Sequence, residues 1–228
     1  MKNISYIFTF LSLVILFHLS SCDDGIEQEP DLGIAHLMFI NASSATDSVY
    51  LTLDDVNIDS STVEFTENTS YLDVTVGNKK ADVKSFDETL LLSQQVFLKS
   101  TKYYSLFFAK LDSINNLYIA LQDNLTVPKT EKAKIRFINL SYNLPAVNIV
   151  TTDSITLFSN ANFKTSSLFT EVDAKNYTLN MSRSLNKEIL YTTPEIALTP
   201  GGIYTFWTKG LLNGEGISSL GISVIKHN

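Results

Sequence analysis

HLMFINAS at residues 36–43 and KIRFINLS at residues 134–141 are two versions of one stretch. Both carry Phe-Ile-Asn-x-Ser: Phe39, Ile40, Asn41 and Ser43 in the first, Phe137, Ile138, Asn139 and Ser141 in the second, 98 positions apart. The register runs on without a gap to Val49 and Leu51 against Val147 and Ile149. A second match follows downstream. Val96-Phe97-Leu98 pairs with Ile196-Ala197-Leu198, and KYYSLFF (102–108) pairs with GIYTFWT (202–208), here 100 positions apart. Two motifs in one order and at nearly one spacing mark a repeated structural unit. The sequence therefore predicts two tandem domains, residues 34–126 and 133–228, joined by the polar link 127–132 (VPKTEK).

Both repeats read as β. Thr, Val, Ile, Phe and Tyr dominate the apolar runs, and alternation with a period of two recurs. Ser70 to Val76 (SYLDVTV) alternates, as does Asn176 to Met181 (NYTLNM), and Ile217 to Ile225 (ISSLGISVI) reads as a closing strand matching Leu117 to Leu121. No segment shows a sustained helical stripe. Six to eight short strands in about 95 residues, with turn residues between them, fit an antiparallel sandwich of immunoglobulin-like type. The expected fold class is all-β, two tandem antiparallel immunoglobulin-like β-sandwich domains behind a signal peptide and an acidic tether.

The N-terminus predicts where such a chain resides. Lys2 is basic, Ile4 to Leu19 is almost wholly apolar, and Ser20 and Ser21 are small. That apolar run is shorter than the about 20 residues a spanning helix needs, so it reads as a signal peptide, residues 1–21. Leu19-Ser20-Ser21-Cys22 resembles the bacterial lipobox, which implies cleavage before Cys22 and lipidation of that residue. Cys22 is the only cysteine in the chain, so the domains behind it fold without disulfides. Residues 22–33 follow as a tether, with five acids between Asp23 and Asp31. Such a segment cannot build a core. It resembles the export signals of Bacteroidetes surface lipoproteins, which implies an outer-membrane, cell-surface location; a periplasm-facing location is the alternative. Loss of Lys2 with the signal takes the net charge from −7 to −8. That excess of acid argues against a nucleic-acid partner and against basic-patch binding to anionic lipid. The expected membrane contact is the lipid on Cys22.

Most chemistries lack their residues. His18 falls in the signal peptide, His227 is next to last, where chains fray, and His36 opens a predicted strand. One internal histidine and a lipidated cysteine assemble neither a catalytic triad nor a zinc site. No Gly-rich loop of the nucleotide-binding kind opens a helix. Asp55, Asn57 and Asp59 have the one-three-five spacing of a calcium loop, but Ser60 stands where Gly is needed and Thr66 where Glu is needed. The segment reads better as a hairpin turned at Asp54-Asp55, with Val56 and Ile58 pointing inward. Neither a metal nor a cofactor is expected.

Ile135-Arg136-Phe137-Ile138-Asn139-Leu140-Ser141, then Pro145-Ala146-Val147-Asn148, resembles the opening motif of a bacterial domain-of-unknown-function family, number 4397. Leu198 with Gly202-Ile203-Tyr204-Thr205 resembles its closing motif. The first repeat keeps Asn41-Ala42-Ser43 and Tyr104-Ser105 but lacks the arginine and the proline. The resemblance implies a β-sandwich in an exported or anchored protein, and no known activity.

One strand of each repeat carries large aromatics on both faces. Tyr104, Leu106 and Phe108 match Tyr204 and Phe206 on one face; Ser105 and Phe107 match Thr205 and Trp207, the single tryptophan, on the other. Hydroxyls beside a large ring suggest a partly wet face, which makes Trp207 and Phe107 candidate ligand or partner contacts. The same rings serve equally well as packing between the two domains. The expected function is a non-enzymatic binding or structural module of the cell envelope. The alternatives are a carbohydrate-binding module of a glycan-uptake system, with a glycan or protein as ligand, and a hydrolase using carboxylates that no motif marks.

Overall fold

The computed structural model describes residues 33–228; the expected signal peptide, Cys22 and the expected acidic tether up to residue 32 lie outside the described residues. Nine strands precede the link: β1 (Ile34–Asn41), β2 (Ser48–Leu53), β3 (Val56–Asn57), β4 (Val63–Glu64), β5 (Leu72–Thr75), β6 (Gly77–Ser85), β7 (Leu90–Leu98), β8 (Tyr103–Lys110) and β9 (Asn116–Asp123). Ten follow it: β10 (Lys132–Ile138), β11 (Val147–Thr151), β12 (Thr156–Ala161), β13 (Thr170–Asp173), β14 (Asn176–Tyr177), β15 (Leu179–Arg183), β16 (Ile189–Thr192), β17 (Ile196–Ala197), β18 (Ile203–Lys209) and β19 (Gly221–Lys226). Among the described residues the only helix is a single 3-10 turn, Gly216–Ser218.

The sheets repeat. In the first unit, β5-β1-β8-β9 faces β3-β2-β6-β7; in the second, β13-β10-β18-β19 faces β12-β11-β15-β16. Alternation along each strand sends Leu37, Phe39, Tyr104, Leu106 and Phe108 into a core with Leu51, Val83 and Leu98. Ile135, Phe137, Tyr204 and Phe206 do the same with Ile149, Leu179 and Met181. The ladders are antiparallel except β1–β8 and β10–β18, which are parallel. An antiparallel reading of the sequence does not anticipate that pair. Its strands are buried on both faces, as parallel strands generally are, and their sequences run apolar with little interruption.

The shared motif does the same local work twice. Asn41 Nδ2 donates to Val63 O and Asn139 Nδ2 to Ala161 O, both at 3.1 Å, while each Asn Oδ1 accepts the N–H of the serine two residues on. Tyr104 and Tyr204 each accept a backbone N–H, from Lys99 and Thr199, on the phenol oxygen at 3.1 Å. These bonds tie the ends of β1 and β10 to β4 and β12, and tie β8 and β18 to the loops before them, and explain why Asn and Tyr recur.

Two local expectations need correction. Asp54 and Asp55, with φ of 49° and 65°, form the two-residue turn between β2 and β3 as read, but Val56 is 68% exposed and does not point inward. Both residues of β3 are exposed, while Ile58, just past it, does pack against the first unit's core. The closing strand starts at Gly221, not Ile217. Gly210 and Gly216, with φ of 68° and 56°, turn the preceding loop back on itself, and the Leu211 N–H bonds Ser218 O.

Candidate functional site

The outer face of the β1–β8 sheet meets the outer face of the β10–β18 sheet. A third apolar cluster forms there from Met38, Ile40, Phe107 and Ala109 on one side and Ile138, Trp207 and Ile225 on the other. Phe107 and Trp207 are fully buried, their rings edge to face with centroids 6.3 Å apart. Neither ring is therefore a stacking platform for a sugar or an external partner. The hydroxyls beside them, Ser105 and Thr205, suggested a wet face; they are fully buried too, and satisfied within the protein.

What satisfies them is a buried polar network at one end of this contact. Arg136 and Asp123 form an ion pair, the guanidinium 3% exposed. The remaining bonds have one consistent direction. Arg136 Nε donates to Thr205 Oγ1 at 2.7 Å, and Thr205 donates to His227 Nε2 at 2.7 Å. His227 Nδ1 donates to the Tyr71 phenol at 2.7 Å, and Tyr71 donates to Asp123 Oδ2 at 2.6 Å. Ser105 donates to the same carboxylate oxygen at 2.8 Å and accepts from Arg136 Nη2 at 3.2 Å. Phe169 lies under the guanidinium, 4.6 Å from ring centre to Cζ, and edge-on to His227. This arrangement assigns His227 as neutral with its proton on Nδ1.

The electrostatics agree. Burial holds His227 down at about 4, with the Arg136 charge adding to the effect and Asp123 opposing it. Burial raises Tyr71, so the phenol keeps its proton; burial also lowers Arg136, with Asp123 opposing it, but a guanidinium starts so high that Arg136 stays charged. The result is one buried cation, one buried anion and four neutral groups with their hydrogen bonds made between them. Burial without a partner would cost several kcal/mol for each charge, which the closed ring avoids.

His227 does not fray. Its N–H donates to Ile203 O, and Asn228 Oδ1 accepts the Ile203 N–H, so β18 holds the last residues. The sequence reading missed Asp123, Arg136, Tyr71 and His227 as a set, because they come from four separate strands or the residues beside them, spread over 156 positions. His36 instead sits near the surface, bonded to Asp73 at 2.7 Å and stacked on Tyr103. Asp54 and Asp55 are paired with Lys79 and Lys80, and no group of three metal-ligating side chains occurs among the described residues. Chemically, a hydroxyl–imidazole contact such as Thr205–His227 is the start of a nucleophile, but here both groups are buried and committed to the network.

The fold and this joint define an all-β protein of paired β-sandwich sheets with a buried polar clasp between its units. The chain belongs to the family described as Domain of unknown function (DUF4397), whose model matches residues 35–150, from β1 into β11. No curated protein matches the chain.

Proposed function

We propose that this protein is a non-enzymatic, lipid-anchored module of the cell envelope, two tandem copies of the family domain joined into one body and held to the outer membrane through Cys22. The observation that carries the non-enzymatic part is the clasp: among the described residues this cluster of hydroxyl, imidazole, guanidinium and carboxylate groups is sealed, and its bonds are spent within and between the two units. The lipobox-like Leu19-Ser20-Ser21-Cys22 and the acids after it support the anchor and a Bacteroidetes-type surface location. With Trp207 and Phe107 inside, ligand contact falls to exposed rings such as Phe86, at the tip of the β6–β7 hairpin and 80% exposed. The anchor is tested by Cys22→Ala: the variant leaves the membrane fraction, and continued partition into it would sink the lipid assignment. Protease accessibility on intact against lysed cells tests the location; protection until lysis would place the module in the periplasm.

A further inference from the structure

The two faces that form the joint are the same patch. The ladder registers set Met38 beside Ser105 and Arg136 beside Thr205, Ile40 beside Phe107 and Ile138 beside Trp207. They also set Ser105 opposite Leu121 and Thr205 opposite Ile225. Asp123 lies opposite Tyr103, and His227 takes the matching place beside Ile203, to which its N–H bonds. Tyr71 and Phe169 each precede the edge strand that pairs with β1 or β10. The apolar part of the joint thus draws both members of three matched pairs into one cluster, Ile40 and Ile138, Phe107 and Trp207, Leu121 and Ile225, with the Phe107 and Trp207 rings in direct contact. A contact made by one patch with itself is isologous, the geometry of a symmetric dimer, here within one chain.

The polar part breaks that symmetry. At three matched positions the first unit carries Met38, Tyr71 and Asp123 where the second carries Arg136, Phe169 and His227. Only the mixed pairing closes the network: Arg136 needs the other unit's Asp123, and His227 needs the other unit's Tyr71. Two first-unit faces would bury two Asp123 carboxylates with no cation. Two second-unit faces would bury two Arg136 guanidiniums with no anion. Discrimination by leaving a charge unpaired in the wrong complex is strong, because the cost falls on the competitor alone.

We infer that this joint is a hetero-specific recognition surface: the face that fits the first unit's outer sheet is the second unit's face, and neither face fits a copy of itself. The apolar matched pairs supply adhesion and the three substitutions supply the choice of partner.

The test uses the whole chain with a site-specific protease sequence inserted in the link at Val127, which is 79% exposed. After cleavage the two halves stay together as one particle with Trp207 still protected. When the cleaved protein is mixed with an isotopically heavy copy and the halves exchange, native mass spectrometry finds one first half with one second half in every particle. In the cleaved protein Arg136→Met weakens association at least about 100-fold. Halves that separate on cleavage, homo-pairs of either half, or an Arg136→Met protein that associates as before would overturn the inference. Amide protection in β6 and β15 shows whether each half remains folded; if the variant unfolds its own half, the exchange experiment needs no substitution and decides alone.

Discussion

Arg136→Met places in the second unit the residue that the first unit carries at the matching position, Met38. The apolar stem is kept, so packing against Phe169 is largely retained, and the loss is electrostatic. Arg136 makes the ion pair to Asp123 and bonds to Thr205 and Ser105. Asp123 is left buried with two neutral donors, Tyr71 and Ser105, and no cation. Removing one partner of a buried pair costs about 3–5 kcal/mol. The two remaining donors put this case toward the lower end, about 3 kcal/mol. Asp123→Asn in the same chain removes the stranded charge while keeping the shape, and is expected to return a large part of the loss. The double variant should be more stable than the sum of the two single losses by at least about 1.5 kcal/mol, well above the near-additivity of independent sites. Urea unfolding followed by Trp207 fluorescence and by far-ultraviolet circular dichroism gives all four corners of the cycle. A single variant costing under about 1 kcal/mol, or a cycle that adds within about 0.5 kcal/mol, would refute the clasp as a coupled network.

Other outcomes follow from the same geometry. His227 is held at about 4 against an ordinary value of 6.5, so between those values the unfolded chain binds the extra proton; stability therefore falls as pH drops from 6.5 to 4, by about 3 kcal/mol in all. His227→Gln should flatten that slope and leave the steeper loss below pH 4, where Asp54, Asp82 and Asp112, whose values lie below the usual 3.8, take up protons; an unchanged slope between 6.5 and 4 would exclude His227 as its source. Gly202→Ala brings a methyl within 2.4 Å of the Tyr204 ring, which has to move off its bond to the Thr199 N–H, and should cost about 1–3 kcal/mol in thermal or urea unfolding. Tyr204→Phe, which removes only the phenolic hydroxyl, should cost about 1 kcal/mol, and a larger loss than Gly202→Ala would contradict the steric account.

The repeat was legible because each unit meets the same local demands. Phe39 and Phe137 must enter a core, Asn41 and Asn139 must bind the carbonyl of a neighbouring strand, and Tyr104 and Tyr204 must accept a loop N–H, so the residues recur at fixed spacing. The alternation in β8 and β18 separated two faces correctly. It does not say what covers the second face, and Ser105 beside Phe107 has the composition of a wet surface as much as of a wet-looking joint. The clasp was hidden for a different reason. Its members are single polar residues, Tyr71, Asp123, Arg136 and His227, unremarkable one by one and matched to unlike residues in the other repeat. A comparison of the two repeats at the positions where polarity differs, Met38 against Arg136 and Asp123 against His227, holds the signal that composition and motif reading pass over. His227 also shows that nearness to the end of a chain is a poor guide when a strand partner, here β18, is available to hold it.

The central claim is that the two units are sealed face to face, and the chain's single tryptophan sits in that seal. Trp207 is fully buried and its indole N–H has no hydrogen-bond partner, so its emission should be that of an apolar, dry site. Acrylamide quenching of the native protein at pH 7 is the direct measurement. The account predicts strong protection, lost only as the joint or the fold opens. Free quenching in the folded protein would mean that the faces are exposed and that the joint described here does not hold.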